Sequence, residues 1–157
     1  MKNLLAIKGF LPYLAIINAS IDLAHKITIQ NVLLKTYEGD TLVILTAAVN
    51  AMILLPFILL FSPSGFINDK YSKTRVIRVA ALAGVAISVA ILFSYLAGLF
   101  EVAFLMTFIL AVQSAIYSPA KYGIVKSLVG TENLGMANGI IQALTIVAIL
   151  FSSFVFS

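Results

Sequence analysis

Five long apolar runs, separated by short polar breaks, set the pattern of this 157-residue chain. They cover residues 10–34, 42–62, 76–96, 102–125 and 134–157. Each run is about 20 residues or more, the length of a bilayer-crossing helix. None shows the period-two alternation of a strand. A backbone in lipid must bond to itself, which leaves helices or closed barrels, so the pattern predicts five membrane helices. The fifth run reaches Ser157 with no polar tail. An odd number of spans and an apolar end predict a piece of a longer protein.

Composition agrees. The chain is 62% hydrophobic and 10% charged, with a mean hydropathy of +1.11, where soluble domains carry about 25% charge. The absence of cysteine excludes disulfides, thiolate catalysis and cysteine metal sites. With one histidine there is no His cluster, and no cofactor or metal is expected. The sequence MKNLLAIKGF at the start does not read as a cleaved signal peptide. The run after it is too long, carries central charges and lacks a clear small-residue cleavage site.

The net charge of +4 is a topology signal rather than a nucleic-acid surface. Lys2 and Lys8 precede the first run, Lys70, Lys73, Arg75 and Arg78 lie between or beside the second and third, and Lys126 follows the fourth. The alternate connections hold Lys35, Glu38, Asp40 and Glu101. Basic loops mark the cytoplasmic side, which predicts a cytoplasmic N-terminus.

Polar residues inside the runs carry the chemistry. Asp22 lies about 18 Å along the helix from either end of the first run, near mid-membrane. An ionisable group there costs roughly 2.5 kcal/mol or more and marks a substrate or ion path by default. Asn18, Asp22, His25, Lys26 and Gln30 fall within about 140° of one helix face. Gln113, Tyr117 and Lys121 follow an i, i+4, i+8 spacing in the fourth run, and Asn138, Gln142 and Thr145 share a stripe in the fifth. Plainer readings stand beside this one. Asp22 and Lys26 are i, i+4 partners that can neutralise each other. His25 suits packing or a proton role. Lys121 is at a depth from which a lysine can snorkel to the interface. Pro119 can serve only to kink its helix. Gly123, Ala137 and Gly139 read as close-packing residues. Asn50 and Pro56 in the second run receive no role.

Three segments carry a resemblance. GFINDKYSKTR (residues 65–75) follows the second run, QSAIYSPAKYG (113–123) ends the fourth, and ANGIIQALTIVAI (137–149) opens the fifth. The first resembles the G-x-x-x-D-R-x-G-R-R/K loop of the major facilitator superfamily, with Lys70 for Arg, Ser72 for the second Gly and Thr74 for a basic residue. Together with Asp22, the other two look like the lysophospholipid transporter branch of that superfamily. DLAHKITIQN (22–31) looks closest to members fused to an acyltransferase and an acyl-carrier-protein synthetase. The superfamily's usual arginine motif in the fourth span is missing, which counts against proton-coupled drug export.

The resemblance implies an all-α integral membrane fold: five helices of the N-terminal six-helix half of a twelve-helix transporter. It implies inward movement of lysophospholipids, chiefly lysophosphatidylethanolamine, across a bacterial inner membrane, followed by reacylation. Asp22, His25, Lys26, Gln30, Gln113, Tyr117, Lys121, Asn138 and Gln142 would then line the substrate path. Gly65, Asp69, Lys70, Lys73 and Arg75 would form a gating loop. Partners would be the substrate, membrane lipid, the missing C-terminal half and the fused enzymes, with no nucleic acid. Two other readings remain: ion- or proton-coupled export of a small amphiphile, and a membrane anchor for a fused acyltransferase. No H-x-x-x-x-D acyltransferase motif occurs, since Gln30 holds the place of the Asp after His25. Any such chemistry would therefore lie in another domain.

Overall fold

The computed structural model describes residues 10–156, with side chains from residue 16 onward. Lys2, Lys8 and Ser157, used above for topology and for the chain's end, lie outside the described residues. Six helices follow in order: α1 Phe10–Thr36, α2 Gly39–Leu59, α3 Phe61–Lys70, α4 Lys73–Leu96, α5 Phe100–Val129 and α6 Leu134–Phe156. The expected all-helical fold is what forms. Four of the helices (α2, α4, α5 and α6) are long and apolar enough to cross a membrane. α1 has the length, at 27 residues, but Asp22, His25, Lys26 and Gln30 interrupt its apolar run.

The expected second span, 42–62, and the loop after it need correction. α2 stops at Leu59, and residues Phe61–Lys70 form a separate helix. Pro63 explains the break. It has no N–H to give the carbonyl of Leu59, and its ring would clash there. Leu60 turns out of helical geometry at φ −96°, ψ 7°, and the ladder resumes with the Ser64 amide on the Leu60 carbonyl at 2.8 Å. Gly65, Asp69 and Lys70 are therefore helical, and Lys73 and Arg75 begin α4. Only Tyr71 and Ser72 separate the two helices. The expected loop is a helix–turn–helix.

The other boundaries lengthen for a simple reason. An apolar run ends where lipid ends, but a helix continues until something stops it. α5 runs on past Lys126 until Gly130, whose φ of 72° suits a residue without a side chain. Pro119 lies inside α5, so the Ala115 carbonyl loses its usual donor.

α5 is the central helix and packs on all five others. Its buried positions include the small residues Ala103, Ala111, Ala115 and Ala120, which let neighbours approach closely. Gly84 of α4 meets α5 in the same way: a Cβ there would lie 3.3 Å from Gln113 Nε2. Gly123 leaves room for the stem of Lys73, and Ala137 is fully enclosed, as their close-packing reading requires. Gly139 differs, with open space where a Cβ would point.

Two apolar clusters pin the bundle. One joins Ile29, Leu33 and Val49, with Phe100 and Phe104 of α5 packed on them. The other joins Val76, Ile77 and Ala80 to Tyr117, Ala120, Val125 and Ile141. Along α5 these occupy opposite ends, and the polar site lies between them. Large apolar side chains such as Ile58, Leu82, Phe93 and Phe154 are exposed, the outer face expected of helices whose solvent is lipid.

Candidate functional site

The site is a half-open cavity of about 300 Å³ bordered by α1, α2, α5 and α6. α1 contributes Asn18, Asp22, His25 and Lys26; α5 contributes Thr107, Ser114, Ser118 and Lys121; α6 contributes Thr145. Leu23, Ile53, Phe57, Leu110 and Ile149 supply apolar wall. Polar groups from three helices therefore share the cavity with apolar wall.

Asp22 is the centre of a short network. Ser114 Oγ donates to Asp22 Oδ2 at 2.7 Å. Asn18 Nδ2 lies 3.2 Å from the same oxygen and 3.3 Å from Ser114 Oγ. Gln113 Nε2 donates to Asn18 Oδ1 at 3.2 Å and to the Ala80 carbonyl at 3.0 Å. The chain of bonds thus runs from α1 through α5 into α4. Asp22 Oδ1 is buried without a hydrogen-bond partner. A buried carboxylate oxygen left in that state is costly unless a ligand or ion meets it. Lys26 does not supply that bond, so the i, i+4 neutralisation read from the sequence is not how Asp22 is satisfied.

Lys121 is the more deeply buried of the two lysines that line the cavity and is only 8% exposed. Its Nζ lies 4.8 Å from the Tyr122 ring centre and 6.0 Å from that of Tyr117. Aromatic faces hold an ammonium group while leaving its N–H bonds available. The snorkelling alternative needs an exposed ammonium end, and this side chain is buried. His25 is also buried, with Nε2 3.0 Å from Thr107 Oγ1, its Nδ1 unbonded and its ring 6.2 Å from that of Tyr95.

Of the nine residues expected on a substrate path, Asp22, His25, Lys26 and Lys121 meet in this cavity. The other five fall elsewhere. Gln30 is eight residues beyond Asp22, about 12 Å further along α1, and does not line the cavity. Gln113 turns toward α4 and forms part of the wall behind Asn18. Tyr117 is 2% exposed within an apolar cluster, its hydroxyl unbonded. Asn138 is half-buried with an unbonded Oδ1, and Gln142 is exposed, accepting from Tyr122 at 2.9 Å. Gly65, Asp69, Lys70, Lys73 and Arg75 all lie outside this cavity, on α3 and α4.

Thr107, Ser114 and Ser118 were not expected and do line the cavity. The signal for them was present. Positions 107, 111, 114, 118 and 121 follow the i, i+4, i+7, i+11, i+14 spacing of one helix face. The i, i+4, i+8 row through Gln113 starts about 100° away from Ser114 and reaches that face only at Lys121.

No family model matches the chain. Curated relatives do. It is 37% identical over 102 residues to the lysophospholipid transporter LplT of Serratia proteamaculans (strain 568), a match covering 65% of this chain and 23% of the relative. The transporter of the same name from Yersinia enterocolitica (serotype O:8 / biotype 1B) is 36% identical over 102 residues, 65% of this chain and 22% of its own length. That of Yersinia pestis (strain Pestoides F) is 39% identical over 102 residues, with the same 65% and 22% shares. The chain thus spans under a quarter of the length of the curated relatives it matches. These relatives are named as transporters, not as enzymes. The likeness to lysophospholipid transporters read from the motifs is upheld. With four apolar helices beside it, the chain is a multi-pass membrane protein. No solved structure matches.

Proposed function

We propose that this chain is part of a secondary transporter that carries lysophospholipids across a bacterial inner membrane. The observation that carries the reading is the pairing of Asp22 and Lys121 in one apolar-walled cavity. A zwitterionic lysophospholipid presents an ammonium, a phosphate and one acyl chain. Asp22, with its free Oδ1, takes the ammonium. Lys121, held by aromatic faces, takes the phosphate. The acyl chain lies on Ile53, Phe57 and Ile149. Lysophosphatidylethanolamine fits this division and is the proposed principal substrate. Movement is inward, toward cytoplasmic reacylation.

In this reading α1 is a fifth crossing, its charges tolerated because they face a cavity rather than lipid. The N-terminus is cytoplasmic, by the excess of cations at the α3–α4 turn and at Lys126. The helices form most of the N-terminal half of a major-facilitator-type protein. Rocking of that half against a second one exposes the cavity to each side in turn. The α3–α4 segment, with Asp69, Lys70, Lys73 and Arg75, gates that movement. The relatives' transporter names support the substrate class.

Uptake of labelled lysophosphatidylethanolamine tests the proposal. Spheroplasts lacking their own transporter receive the full-length gene, as wild type, Asp22→Asn or Lys121→Ala. Uptake should appear with wild type and fall at least tenfold in each variant. Wild-type flux in both variants, with the proteins confirmed in the membrane, would overturn the assigned roles. No flux with wild type would overturn the substrate.

A further inference from the structure

A second recess lies across α5 from the transport cavity and has a different chemistry. It is a groove of about 490 Å³ between α3, α4 and α5. Ile67, Val79, Ala83, Ile87, Ile109 and Val112 line it. Val79 is 59% exposed and Ile109 41%, so the groove opens outward, toward lipid. Its one charged lining residue is Arg75, beside Tyr71 at the α3–α4 turn. The Arg75 guanidinium stands 5.9 Å from the Tyr71 ring centre, and Lys70 Nζ stands 5.7 Å from the same centre. Two cations therefore converge on one ring at one end of an apolar trough. Across residues 69–78 there are four cations, Lys70, Lys73, Arg75 and Arg78, against the single carboxylate of Asp69.

We infer that this groove holds an anionic phospholipid, its phosphate on Lys70 and Arg75 and one acyl chain along α4 and α5. The dimensions agree. From Arg75 to Ile87 is twelve residues, about 18 Å of helix, and one leaflet of a hydrocarbon core is about 15 Å deep. The charged end lies at the interface and the apolar end near mid-membrane, as in a lipid standing in its leaflet. Cations at a membrane surface favour anionic headgroups over zwitterionic ones. Charge complementarity thus selects the lipid class, and groove length selects a single leaflet. The lipid is a resident of the α3–α4–α5 face and not the cargo of the Asp22 cavity. It fixes the α3–α4 turn in position by bridging cations on both sides of it.

The test uses phosphatidylglycerol with a photoactivatable group in mid-chain. The full-length gene product is placed in nanodiscs of phosphatidylethanolamine carrying a small fraction of this probe. Irradiation should label peptides spanning 79–87 and 109–112. A Lys70→Gln/Arg75→Gln double variant should cut that labelling at least threefold. Ala83→Trp should cut it too by filling the trough with both cations intact, which covers the case in which the double variant fails to fold. A phosphatidylethanolamine probe should label these peptides no more than a third as well. Equal labelling by both probes, no response to either set of substitutions, or crosslinks from these peptides to another protein segment would each overturn the inference. The labelling is read without flux, so its failure is distinct from failure of the transport reading.

Discussion

Gln113 and Ser114 are neighbours in the chain and serve different faces of α5. Ser114 turns into the cavity, where its hydroxyl satisfies one oxygen of Asp22. Gln113 turns to α4, where it bonds a backbone carbonyl and lines the outer groove. The cavity gathers charge in its interior, and the groove keeps its charge at the mouth. A single 100° step around one helix separates the two environments. The comparison teaches that burial of a polar residue does not define a transport path. Asp22 combines a free Oδ1 with a place on the cavity wall, whereas the Gln113 amide is engaged by Asn18 and the Ala80 carbonyl.

Substitutions on each side can break that contrast. The largest effect on stability is expected at Gly84. Gly84→Val puts side-chain bulk where a Cβ alone would already be 3.3 Å from Gln113 Nε2. It should push Gln113 off the Ala80 carbonyl and lower stability by about 1–3 kcal/mol, read as an earlier thermal transition in detergent. Asp22→Asn should keep the fold yet lower lysophospholipid uptake at least tenfold, about 1.4 kcal/mol. Ser114→Ala removes one donor to a carboxylate that keeps Asn18. Hydrogen bonds between membrane helices average about 0.6 kcal/mol, so uptake should change about threefold in a concentration series. Gly123→Ala is the mildest. Its Cβ would fall 2.6 Å from Lys73 Cε, the movable end of a long side chain. The side chain should swing aside at a stability change within about 0.5 kcal/mol. A larger loss there than at Gly84 would show that the Lys73 side chain does not yield.

The sequence carried the helices well and the site unevenly. Apolar runs locate helices because lipid imposes one solution on the backbone. They do not locate helix ends, which depend on Gly130 and on Pro63. Pro63 had a readable signal, a ring on the residue that immediately follows the second apolar run, and it turned a supposed loop into α3. Asp22, His25 and Lys26 were legible because charge in an apolar run is expensive. Thr107, Ser114 and Ser118 shared a helix face but carried a weaker signal, since a hydroxyl can always satisfy itself on its own helix, as Thr28 and Ser88 do here. Tyr117 misled for the opposite reason: its ring is mostly apolar and was packed as such.

Pro119 gives α5 a mechanical character. The bond from residue 119 to the Ala115 carbonyl is missing, between the Ser114 that holds Asp22 and the Lys121 at the cavity's other pole. A rod with one strut removed bends at that joint before it bends elsewhere. A bend at that joint would change the distance between Ser114 and Lys121, while the Gln113 anchor on α4 lies on the N-terminal side of it.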